Sequence, residues 1–144
     1  MPTIVNVGLT LGALAALLFF IADLYVIFHL LQRIFAPKST WPWLQNMGKR
    51  WHNIHYYGNL ALVLVVVVHA ILMAPYTGFL NWLFFAVLCW MGVAGMLLKF
   101  SHLSPRVKAT ISRFHARWYM ILLVIVLLIA SHLASLPNFP YPLG

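Results

Sequence analysis

The chain has 144 residues, 64% of them hydrophobic and only 7% charged, with a mean hydropathy of +0.94. A soluble domain carries about a quarter of its residues charged, so this composition excludes one and indicates an integral membrane protein, read as a single transmembrane domain over 1–144. Nine Lys and Arg stand against a single acid, Asp23, but the bases flank apolar runs; they report topology and lipid headgroup contact rather than nucleic acid.

A membrane-spanning helix needs about 20 apolar residues. Four such runs are predicted, at about 4–35, 54–73, 79–98 and 118–136. The first holds Asp23 and His29, and its Gly8 and Gly12 form a GxxxG that suits close helix packing. A carboxyl at Asp23 must be paired, neutral or near the interface; the choice is between a proton or quinone contact and a structural hydrogen bond, and we expect the latter. Pro37 and Pro42 mark the first linker, Pro75 and Gly78 the second, and Pro105 the third. The third run has no histidine, and its Gly92 and Gly95 are expected to serve helix packing, with room for a flat porphyrin as the other reading. Met73, Met91 and Met96 read as apolar filler. Cys89 is the only cysteine, so no intrachain disulfide forms. No basic n-region or A-x-A site appears at the N-terminus, so no cleaved signal peptide is expected. The tail, LPNFPYPLG, cannot continue a helix.

All nine bases lie in or beside linkers one and three. By the positive-inside rule, both linkers are cytoplasmic and both termini external, as expected for a bacterial cytoplasmic membrane. The fold class is thus an all-α, four-transmembrane-helix bundle, N-out and C-out.

The stretch Arg50–Leu72 is echoed by Arg113–Ser135. With an offset of 63 residues, Arg50, Trp51, His52, Tyr56 and His69 fall on Arg113, Phe114, His115, Tyr119 and His132. The pattern, Arg-aromatic-His-x3-Tyr-x12-His, suggests a duplicated two-helix unit. Spans two and four then run parallel, with His69 and His132 at one external depth. His52, His55 and His115 lie on the cytoplasmic side, with His29 ending the first span and His102 in the third linker. Imidazoles inside a membrane need partners, and bundle cores are where facing helices build cofactor sites.

His55 and His69 are 14 residues apart, about 21 Å along a helix. Fourteen is two heptads, so both rings face one neighbour. His115 and His132 are 17 apart, about 25 Å, which leaves them roughly 50° out of phase. The repeat favours His52 as the partner of His115, whereas helical phase favours His55; we take His55, with His52 as the alternative.

Paired histidines on two helices of a small bundle resemble the di-haem membrane cytochromes b, such as the cytochrome b subunits of formate dehydrogenases, respiratory nitrate reductases and nickel–iron hydrogenases. The His-x13-His of His55 and His69 is similar to their helix motif; the His-x16-His of the fourth span departs from it. The resemblance implies two b-type haems, each held by two histidines: His69 with His132, and His115 with His55 or His52. It further implies electron transfer between quinone or quinol and a partner redox subunit across the membrane, rather than a stand-alone enzyme. Arg50, Arg113 and Arg117, with Lys49, are candidates for haem propionates or headgroups on the cytoplasmic side; Tyr76, Asn81 and Trp82 are candidates on the external side. The alternatives are an anchoring subunit of a larger complex, binding one haem or none, and a histidine-based transporter, which would be expected to carry more intramembrane acids than Asp23 alone.

Overall fold

A computed structural model describes residues 3–39 and 41–136. It is helical throughout, with no strand among the described residues: α1 (Thr3–Phe35), α2 (Pro42–Met73), a 3-10 turn (Ala74–Tyr76), α3 (Phe79–Phe100), α4 (Pro105–His115) and α5 (Trp118–Ser135). In hydrocarbon every backbone N–H and C=O must be paired within the segment, which leaves the helix as the form for these Leu, Val and Ala runs. Four helices are long and apolar enough to cross a membrane: α1, α2 with its 3-10 extension, α3 and α5. The chain is therefore built as an integral membrane protein whose outward side chains meet lipid.

Two boundaries differ from the sequence expectation. Helix α2 starts at Pro42, about three turns before the apolar run. Proline at a first helical position loses no hydrogen bond, so Pro42 opens a helix instead of breaking one. The polar start is anchored by Leu44, fully buried, and by Trp43, whose ring stands 5.4 Å from that of Phe28. With 32 residues, α2 is about 48 Å long, well beyond a hydrocarbon core of about 30 Å. The third linker likewise holds a helix, α4, with Pro105 in its first turn. Helix α4 stops at Ala116, and Arg117 is extended (φ −83°, ψ 135°) before α5 begins. The two echoing stretches are thus carried differently, the first by one continuous helix and the second by two.

Helix α1 packs along α2, α3 packs on α2 and α5, and α4 folds back on α3, while α1 and α5 scarcely touch. The core comprises Ala15, Phe19, Leu30, Leu62, Val66, Leu88, Ile121 and Val124. Two glycines permit close approach: a Cβ at Gly58 would stand 2.8 Å from that of Ala22 on α1, and one at Gly92 would stand 2.7 Å from Val63 on α2. The weak α1–α5 contact leaves space inside the bundle, and the histidines line it.

Candidate functional site

Among the described residues the bundle holds a cavity toward each end. One, near the α2–α3 turn, has a volume of about 490 Å³ and is lined by Gly12, His69, Met73, Phe84, Leu128 and His132 among others. The second, near the basic linkers, has a volume of about 620 Å³ and brings together Asp23, His55, Asn59, Gly95 and His115. Arg33, Pro37, Phe100 and Arg117 also line it, so the first and third linkers meet at one end of the molecule.

In the turn-side cavity both histidines are oriented by backbone. His69 Nδ1 lies 2.8 Å from the Gly8 carbonyl of α1, and His132 Nδ1 lies 2.8 Å from the Leu128 carbonyl one turn earlier. A carbonyl only accepts, so each Nδ1 carries the proton and each Nε2 keeps its lone pair. No hydrogen bond reaches either Nε2 among the described residues. The GxxxG of α1 makes this arrangement fit: a Cβ at Gly12 would stand 2.8 Å from His69 Cε1, so glycine gives the ring its seat. The Phe84 ring stands edge-on to His132 at 6.3 Å. Asn81 fastens α3 to α5, donating to the Ser131 carbonyl at 3.4 Å and accepting from the Ser135 hydroxyl at 2.9 Å.

The basic-side cavity is built on a carboxyl acceptor. Asp23 is 6% exposed, and its Oδ1 lies 2.9 Å from His55 Nδ1. Asn59 Nδ2 donates to the same oxygen at 3.2 Å and to the His55 carbonyl at 2.8 Å. Those two bonds use both amide hydrogens, so the 3.1 Å approach of Asn59 Nδ2 to His55 Nδ1 is a side contact, and the imidazole proton goes to Asp23. The His55 Nε2 is then the acceptor nitrogen. The His55 and His115 rings stand 6.3 Å apart at 61°. His115 Nδ1 is buried and has no hydrogen-bond partner. Burial first, and then the neighbouring His55, lowers the His115 pKa below the ordinary histidine value, with Asp23 and the Met91 backbone opposing; this favours the neutral imidazole. A Cβ at Gly95 would stand 3.3 Å from the His115 ring.

The remaining candidates separate by position. His52 is exposed, packs on Tyr56 at 4.7 Å, and lies outside the cavity that holds His55. His29 lies at the rim of the basic-side cavity, 6.1 Å from Tyr25, and His102 is exposed. Of the proposed propionate contacts, Arg117 lines the cavity, whereas Lys49, Arg50 and Arg113 are exposed away from it. On the other side Asn81 and Trp82 line the cavity and Tyr76 does not. Met73 lines the turn-side cavity, and Met91 and Met96 the basic-side one, among apolar neighbours.

Sequence reasoning missed Arg33 and Asn59 and did not supply the partner of Asp23. Arg33, one of the nine bases, lines the basic-side cavity one turn beyond His29. Asp23 and Asn59 were not tied to His55. The 36-residue separation of Asp23 and Asn59 hides the pairing; a lone acid in an apolar helix and a histidine with Asn at i+4 were the only signals.

Both cavities are of cofactor size. Their volumes fall within the range of about 300–1,000 Å³ usual for cofactor sites. The 6.3 Å between the His55 and His115 rings is close to the roughly 6 Å expected of two imidazoles sharing one iron. No group of three or more His, Cys, Asp or Glu able to hold a metal ion exists among the described residues. A tetrahedral protein site needs more ligands than a pair supplies, whereas a porphyrin brings four nitrogens of its own. Comparison with protein-family models, curated proteins and solved structures finds no match for this chain.

Proposed function

We propose that the chain is a membrane-embedded b-type cytochrome that carries electrons across the bilayer through two bis-histidine haems, between quinone or quinol and a partner redox subunit. The observation that carries this reading is the seating of two histidine pairs in two cavities at opposite ends of one apolar bundle, each pair having an oriented or orphaned ring nitrogen. His69 and His132 would hold one haem, and His55 and His115 the other. Haem held by these histidines would supply electron transfer and not substrate chemistry.

The protein's own residues supply the rest. The Gly8 and Leu128 carbonyls and the Asp23 carboxylate fix ring orientation and tautomer. The turn-side cavity has a mostly apolar lining. Arg33 and Arg117 offer cations to propionates at the basic end, which the positive-inside rule places in the cytoplasm of a bacterial membrane. The chain works with other subunits of a redox complex, since its linkers offer no domain for a soluble donor. The test is the spectrum of the purified protein: reduction with dithionite should give b-type absorption, abolished in the His69→Ala/His115→Ala double variant. A colourless protein supports the alternative of an anchoring subunit.

A further inference from the structure

The two histidine pairs differ in what orients them. His69 and His132 give their Nδ1 protons to neutral backbone carbonyls, Gly8 and Leu128. His55 gives its Nδ1 proton to a carboxylate. Asp23 is the only acid in the 144 residues, so only one of the two sites can have such an acceptor. The carboxylate is buried and clamped by Asn59, whose two amide hydrogens reach Asp23 and the His55 backbone, so it is positioned for this contact.

We propose that Asp23 sets the two haems apart electrochemically, making the His55–His115 haem the lower-potential one; this rests on the bis-histidine reading above. A charged acceptor draws the imidazole proton and gives the ring more imidazolate character. Such a ring is the better donor and favours the oxidised iron. The buried negative charge acts in the same direction. Arg33 and Arg117 oppose it from the rim, but both are exposed and screened by solvent, whereas Asp23 contacts the ligand itself. The turn-side cavity is lined by no Asp, Glu, Lys or Arg among the described residues, so no charged side chain there shifts the balance back. At equilibrium a half-reduced molecule therefore holds its electron on the turn-side haem. Electrons entering at the basic end, from a quinol or a reduced partner subunit, then run downhill toward the turn. Asp23 is thus a positioning residue that gives the chain a direction.

The experiment is a redox titration of the purified full-length protein, followed by its absorption, for wild type, Asp23→Asn, Asp23→Glu and His132→Ala. Wild type should titrate in two steps, and His132→Ala should lose the upper one. Asp23→Asn should raise the lower step and leave the upper one in place, while Asp23→Glu, which keeps the charge, should stay near wild type. Two haems with unmoved steps in Asp23→Asn overturn the proposal and leave the haem reading intact. Where Asp23→Asn fails to retain its haem, His132→Ala still decides: loss of the lower step overturns the assignment. A wild-type protein without haem overturns the haem reading and this proposal together.

Discussion

Gly12→Ala isolates the seat of His69. The added Cβ would stand 2.8 Å from His69 Cε1 and 3.2 Å from Nδ1. Carbon atoms prefer about 3.5–4.0 Å, so the ring must retreat by roughly 0.7 Å or more. The bond from Nδ1 to the Gly8 carbonyl is 2.8 Å long, and such a retreat takes it toward the limit of a hydrogen bond. Losing that bond costs about 0.5–1.5 kcal/mol, and overpacking about 1–3 kcal/mol. Alanine's better helix propensity returns about 1 kcal/mol, so the net destabilisation is about 0.5–3.5 kcal/mol. Loss of a partner that orients a metal ligand typically lowers metal affinity about 10–100-fold. The assay is haem per chain together with Tm in detergent. Gly12→Ala should lose the same haem as His69→Ala and unfold at a lower temperature. Gly8→Ala is the contrast: its Cβ would meet Met73 Sδ at 2.5 Å, but a thioether can swing aside, so the loss should be smaller. A Gly12→Ala protein with both haems and an unchanged Tm would refute the reasoning.

Other outcomes follow from the same geometry. His69→Ala and His132→Ala should remove one and the same haem, which difference spectra of the single and double variants can show. His55→Gln should lose the basic-side haem while His52→Gln keeps both, since only His55 faces the cavity; haem content measures this, and the reverse pattern would restore His52. Gly58→Val should lower Tm, at a cost of about 1–3 kcal/mol, because its Cβ meets Ala22 at a fixed helix contact. A periplasm-active reporter fused after Gly144 should be active, because the bases gather at the opposite end; activity only with a cytoplasmic reporter rejects the orientation.

The four spans were legible because hydrocarbon imposes length and apolarity on each helix. What hydropathy missed was polar helix: the start of α2 from Pro42 and all of α4, where proline stands at a first turn and so does not break the helix. His55 and His69 stand on one unbroken helix, α2, and His52 lies outside the cavity that His55 lines. The 50° mismatch between His115 and His132 assumed one helix; the break at Ala116 and Arg117 frees His115 to approach His55 from α4. Depth alone grouped His69 with His132, and both line one cavity. The Asp23–His55 pair joins separate helices, and no spacing along one chain encodes such a contact.

The central claim is two haems on two histidine pairs, and counting haem against protein tests it most directly. A pyridine haemochrome assay on the purified, full-length protein should give two haem b per chain, falling to one in His132→Ala and to none in the His69→Ala/His115→Ala double variant. A ratio of zero in the wild-type protein isolated from haem-replete cells, or a ratio of two that survives the double variant, would contradict it.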